Sequence, residues 1–345
     1  MGTSLDSKIA ERKRRWCDFF DWTKPPQHMF MLCYSEGVPG APPAYPENKQ
    51  QRIDWAWTAY EYQLKRAEWL EDDTIPYMNV YTGTEIFAEA FGCKVHRPPD
   101  TNPCAVPMIR SASEVSKVKV PDLGASSLAM YFEMADELKR RGGKASTLRM
   151  IDIQSPMDIA ALIWDKNEFY VAITESPDAV KELAAKVTEL MAAFMDEWFA
   201  RYGQDYAAHY PDYYMPKGIT LSEDEVGSVS REMFEEFFLP ELKWLSERYG
   251  GIGIHCCANA RHQWHNFLKV PGLRLINIHQ PPEQVRDAYK FFTGHTTHMH
   301  SWCGDGELET WTYPDGARVV LQLSADKKDK ALDLSQRARK FCGRE

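Results

Sequence analysis

The sequence predicts an α/β protein: a single (β/α)8 barrel entered through an amino-terminal helical extension. Two observations predict it. Short apolar runs alternate with long helical patterns, which is how βα units and a parallel sheet read; eight such runs stand at residues 28–34, 75–81, 147–153, 213–220, 251–257, 273–279, 291–298 and 317–323. No repeat or low-complexity tract divides the 345 residues, a length that such barrels reach as one domain. The extension takes residues 1–26 and the barrel residues 27–345.

In chain order, Lys13, Arg14 and Arg15 run into Trp16, Phe19, Phe20 and Trp22, an amphipathic opening segment whose basic residues form a solvated face. The first strand leads into a proline-rich loop, 37–46, placed on the active-site side. Helix 51–71 carries Ile53, Trp57, Tyr60, Leu64 and Trp69 near helical period. The second strand is followed by an insertion with a loop at 97–107. Helix 127–141 stops before Gly142 and Gly143, a carboxyl cap. Helix 177–202 opens on Ser176 as N-cap, Pro177 in its first turn and Asp178 beside it. Helix 231–248 follows Ser230, and 326–341 is the final helix.

Composition narrows the function. Fifty acidic against 41 basic residues leave a net charge of −9, which disfavours a nucleic-acid partner. No apolar stretch has the length of a membrane span, and the polar amino terminus lacks the apolar core of an export signal. The eight cysteines are scattered apart from Cys256 and Cys257; they read as thiols or ligands of a cytoplasmic protein rather than a disulfide frame. There is no GxGxxG after a strand, no phosphate loop, no GxSxG and no HExxH.

Seven of the ten histidines fall between His255 and His300. On the predicted strands His255 and Cys257 end the fifth, His279 ends the sixth, and His295, His298 and His300 end or follow the seventh. A barrel gathers neighbouring strand ends over one mouth. His255 and Cys257 are two apart and share a face of their strand, and an imidazole with a thiolate suits zinc. Alone, such a pair is more often a buried histidine and an inert cysteine. The downstream histidines and Cys303 make a functional pocket the better reading, with Cys303, His298, His295 or His279 as third ligand. Cys256 points to the helix layer. Glu223, Asp224 and Glu225 follow the fourth strand; Glu223 and Asp224 are candidate proton carriers beside His279, although acidic residues also favour helix starts. Asp152, Gln154, His295, His298 and His300 are candidate substrate contacts, and Cys33 and Glu36 weaker ones.

Four segments carry a resemblance: Glu89-Ala90-Phe91-Gly92-Cys93; Ser155-Pro156-Met157-Asp158-Ile159-Ala160 with Ile163; Ser222 through Gly227 continuing into 230–240; and His255-Cys256-Cys257-Ala258-Asn259. In this order the chain resembles the superfamily that joins uroporphyrinogen decarboxylase with the cobalamin-dependent methyltransferases, a (β/α)8 family. The methyltransferase branch implies zinc on a His-x-Cys pair, matched by His255 and Cys257, with a third cysteine after the last strand and methyl exchange with a corrinoid protein. Here the last strand ends in Gln322-Leu323-Ser324-Ala325-Asp326, so the third ligand is expected from Cys303 or the seventh-strand histidines. The arginine-rich segment of the decarboxylase branch is missing. The resemblance therefore implies a zinc-dependent methyltransferase working on a small molecule and a corrinoid partner. The alternatives are a metal-independent decarboxylase or lyase on the same barrel, and a non-catalytic binding subunit.

Overall fold

The computed structural model describes residues 4–34, 36–98, 101–301 and 308–344. Eight strands form its frame: β1 (Met29–Tyr34), β2 (Tyr77–Asn79), β3 (Thr147–Arg149), β4 (Ile219–Ser222), β5 (Ile252–Cys256), β6 (Leu273–Ile278), β7 (Thr297–Ser301) and β8 (Val319–Ala325). Six make one parallel sheet in the order β1-β8-β7-β6-β5-β4. β2 and β3 pair in parallel, and a parallel bridge from Gln154 to Ser222 links the end of β3 to β4. The fold is thus α/β with a parallel sheet, as the alternating pattern predicts.

The principal helices are α1 (Leu5–Phe20), α2 (Lys49–Trp69), α3 (Ala129–Gly142), α4 (Pro156–Ile163), α5 (Pro177–Tyr202), α6 (Leu239–Tyr249), α7 (Pro282–Phe292) and α8 (Lys328–Phe341). None of the described helices is long and apolar enough to cross a membrane. Ser155 caps α4 by accepting the Asp158 N–H. Upstream of α6, Phe234–Phe238 forms a wider turn. Pro240 explains it, because its ring lacks an N–H and clashes with a carbonyl one turn back. The 97–107 insertion includes part of a small hairpin, Lys94–His96 with Cys104–Val106.

Two predicted strands need correction. The fourth, at 213–220, is really two pieces: Tyr214–Met215 pairs antiparallel with Tyr206–Ala207, and β4 begins at Ile219. The seventh, at 291–298, begins too early. Phe291 and Phe292 end α7, where Val285, Ala288, Tyr289 and Phe292 are buried at helical spacing; two adjacent aromatics before Gly294 mimic a strand.

No ladder joins β1 to β2 among the described residues. Side chains close this seam instead. Asp73 accepts the Phe30 N–H at 2.9 Å and Asp72 the Leu32 N–H at 3.1 Å. Asp73 is also gripped by Arg15 of α1 and by Arg344, each at 2.8 Å, while Arg12 pairs with Asp72 at 3.1 Å. Trp16 and Phe19 of α1 are fully buried in the main apolar cluster, so the opening helix belongs to the core.

Candidate active site

Register decides which side chains share a face. Gly253 pairs with Leu275 and His255 with Asn277, while Ile254 pairs with Ile276 and Cys256 with Ile278. The first set lies on the inner face of the sheet, where a Cβ on Gly253 would stand 2.0 Å from the Tyr213 hydroxyl; only glycine leaves room for that ring. Alternation carries Cys257 to the same face as His255 and sends the buried Cys256 to the helix side, as predicted.

The strand-end cluster is built on these positions. His255 is buried, its Nδ1 is 2.5 Å from Asn277 Oδ1, and Tyr210 packs edge-on with ring centroids 4.6 Å apart. Asn277 is fixed in turn by donating to Met299 O at 2.9 Å. Burial lowers the pKa of His255, partly opposed by Asn277, so the imidazole is neutral and its Nε2 is the nitrogen left to bind. Cys257 donates from Sγ to Asp224 at 3.0 Å and from its backbone N–H to the same carboxylate at 2.7 Å. Burial, then the Asp224 carboxylate, push this thiol up to about 12.

Beneath Asp224 lies a pair of buried carboxyls. Asp158 accepts the N–H groups of Asp224 and Glu225, each at 2.9 Å, and Glu223 is packed beside it with no exposure. Burial pushes Glu223 well above the usual carboxylate range and Asp158 up to about 7. Two adjacent buried carboxyls cannot both ionise, so the pair holds at least one proton and braces the turn that carries Asp224.

Across the same rim, Asp152 follows β3, and burial pushes it up to about 7 against the pull of Arg149. His209 Nδ1 stands 3.5 Å from Asp152, and both ring nitrogens of His209 are buried without a hydrogen-bond partner. Burial first, then Arg149 and His255, keep its pKa well below the ordinary value. Arg149 holds this loop by donating to Ala208 O, His209 O and Asp212, while Tyr77 donates to Asp212 at 2.7 Å.

The predicted residues thus divide. His255, Cys257, Asp224, Glu223 and Asp152 come together at the carboxyl ends of β3, β4 and β5. His279 joins them just past β6, where its N–H donates to Cys256 O. Gln154 bridges to Ser222, and its Oε1 is buried without a partner. Three expectations are corrected. His298 and His300 sit inside β7 on the helix side, since His298 pairs in register with Ile276. His298 packs on Tyr289 and Phe292, and burial lowers its pKa to about 3. His300 packs on Trp311 and accepts from or donates to the Tyr313 hydroxyl at 2.9 Å. His295 is exposed at the opposite, amino-terminal end of β7. All three follow from the late start of β7, which shifts each histidine's place on the strand. Cys303 lies outside the described residues. Sequence reasoning passed over Asn277, Arg149, His209, Tyr210 and Asp212. Asn277 and Arg149 were detectable as polar residues inside apolar strands; the others sit in a loop with no pattern to read.

Residues 77–295 match the sequence profile described as uroporphyrinogen decarboxylase (URO-D). The chain belongs to this family. No protein of curated function matches its sequence. The family fold extends to a solved structure, a methyltransferase from Methanosarcina mazei, with a TM-score of 0.66 over 96% of this chain and 98% of that chain at 10% identity. Within this URO-D frame, the conjunction of a tethered imidazole, a thiol on a carboxylate and a buried histidine facing Asp152 can bind a soft metal and handle protons.

Proposed function

We propose that this URO-D family chain is a methyltransferase that holds zinc on His255 and Cys257 and moves a methyl group between a small molecule and a corrinoid carried by a partner protein. We infer also that its eight parallel strands close as a (β/α)8 barrel, with Asp72 and Asp73 sealing the β1–β2 seam. The observation that carries the functional reading is the shared inner face of His255 and Cys257, each already held by a second residue. The name of the Methanosarcina structure and the matched family segments support it. The described cysteines are all free thiols, which suits a cytoplasmic setting.

The fit to zinc is good at two positions. A ligating histidine normally has its other nitrogen tied by a hydrogen bond, as Asn277 ties His255. Cys257 needs to lose its proton, and Asp224 already accepts that proton in a hydrogen bond. Among the described residues no group of three His, Cys, Asp or Glu converges on one point; the third ligand we propose, from the sequence alone, is Cys303, which lies outside the described residues. Zinc bound there would act as a Lewis acid on an ether oxygen or hold a thiolate. Asp224 would receive the Cys257 proton, the Asp158–Glu223 pair would keep Asp224 in place, and Asp152 with His209 would face the substrate's polar group.

Elemental analysis of chelator-free protein should find about one zinc per chain, and Cys257→Ser or His255→Ala should remove both zinc and methyl transfer to or from a free corrinoid. A metal-free protein with full activity would defeat the proposal and favour a lyase.

A further inference from the structure

A cleft of about 710 Å³ opens between β1 and β2, under α2. It lies along a seam with no strand ladder among the described residues, where Asp72 and Asp73 tie the segment before β2 to the β1 N–H groups. Its volume lies in the range of small-molecule sites. Four features give it a chemistry. Trp55 and Tyr62 of α2 supply flat aromatic wall. Met31 and Cys33 face them from β1, with Cys33 in register with Ser324 of β8. Asn79 lies on the lining with 8% exposure, and its Oδ1 has no hydrogen-bond partner; a buried acceptor of this kind calls for a donor.

The charges at the cleft leave one cation over. Asp212 is taken by Arg149 and Tyr77. Lys330 pairs with Asp326 at 2.9 Å. Glu36 accepts from the Tyr34 hydroxyl at 2.5 Å and from the Lys328 N–H. Arg66 is the cation of this set without a counter-ion among the described residues, and it donates to Leu32 O at 3.2 Å; the two groups that donate to Glu36 are neutral, and Glu36 lies exposed. A guanidinium beside an apolar cleft selects a carboxylate.

We infer that this cleft binds a flat aromatic monocarboxylate bearing a hydroxyl or amino donor: the carboxylate on Arg66, the ring against Trp55 and Tyr62, and the donor on Asn79 Oδ1. The site goes beyond the methyl-transfer reading and does not depend on zinc.

The test uses 4-hydroxybenzoate on the full chain, with and without chelator, by calorimetry. Benzoate removes the donor and 4-hydroxybenzyl alcohol removes the charge. One-to-one binding is expected, roughly tenfold or more tighter for 4-hydroxybenzoate than for either analogue, because each analogue leaves a polar group unmatched. Arg66→Gln should erase the preference over the alcohol, and Asn79→Ala the preference over benzoate, each in protein whose melting temperature shows it folded. Alkylation of Cys33, followed by peptide mass, should slow when the acid is bound. Absence of binding, binding indifferent to both substitutions, or binding that leaves Cys33 alkylation unchanged would overturn the assignment. Loss of binding with chelator would also overturn it, whereas zinc-free protein that still binds would separate this site from the fate of the metal proposal.

Discussion

The carboxylate of Asp224 holds Cys257 twice, accepting its backbone N–H at 2.7 Å and its thiol at 3.0 Å. The second contact places a negative charge against a group that must itself become negative to bind metal or attack. Burial is the larger cause of the raised thiol and Asp224 the next. In metal-free protein, Asp224→Asn should therefore lower the Cys257 pKa from about 12 towards, but not to, that of a free thiol. Alkylation of Cys257 near pH 9 should speed up roughly tenfold for each unit lost. An unchanged rate would show that the carboxylate does not govern the thiol.

Asn277 should matter to metal without touching it. Its side chain fixes the His255 ring through Nδ1, and such outer contacts are worth about 10–100-fold in metal affinity. Asn277→Ala should weaken zinc binding by that order, read by competition with a chromogenic chelator, while the melting temperature of the metal-free protein falls far less than for a core truncation.

His298 and His300 should be dispensable for metal. They lie on the helix side of β7 among Tyr289, Phe292 and Trp311, and burial keeps both neutral. His298→Phe should retain full zinc stoichiometry; loss of zinc from folded protein would place that strand on the wrong face.

Glu85 should make stability depend on pH. It is 1% exposed, and burial pushes it up to about 7 from an ordinary carboxylate value. The folded protein binds this proton more tightly than the unfolded chain, so stability is fully present below the unfolded pKa and is lost as pH rises through about 7. Glu85→Gln should stabilise the protein by about 3 kcal/mol at pH 8, with the gain vanishing near pH 4. Urea denaturation at the two pH values checks the sign.

Asp73 should be among the most sensitive positions outside the site. It satisfies the Phe30 N–H and two guanidiniums that are themselves only partly exposed. Asp73→Ala leaves Arg344 without its carboxylate, Arg15 with Glu11 alone at 3.5 Å, and one buried donor unmatched, and should cost about 3 kcal/mol, seen as a fall in urea midpoint. Arg344→Ala removes one of the two partners and should cost less.

Much of the frame was legible because strands buried on both faces leave dense apolar runs that helical period cannot imitate. The exceptions are instructive. Phe291 and Phe292 fit either reading, and only the packing of Tyr289 and Val285 beside them decides for a helix. That one shift moved three histidines: a strand starting at Thr297 puts His298 outward, and His295 falls at the far end. The His255–Cys257 pair was readable because spacing of two on a strand fixes a common face whatever the exact boundary. The residues that tune it were not. His209 and Asp212 meet Arg149 through a loop whose path depends on the hairpin between Tyr206 and Met215, and Asp158 sits in the first turn of α4, where only its two N–H contacts place it under Asp224.

The grip of Arg344 on Asp73 joins positions 271 residues apart. During synthesis, the carboxylate beside the first strand therefore gains its second cation only once residue 344 has been made. Chains that stop short of Arg344 leave Asp73 with Arg15 as its one remaining cation among the described residues, so they should melt at a lower temperature and stick to one another more readily, even with every residue around His255 already made.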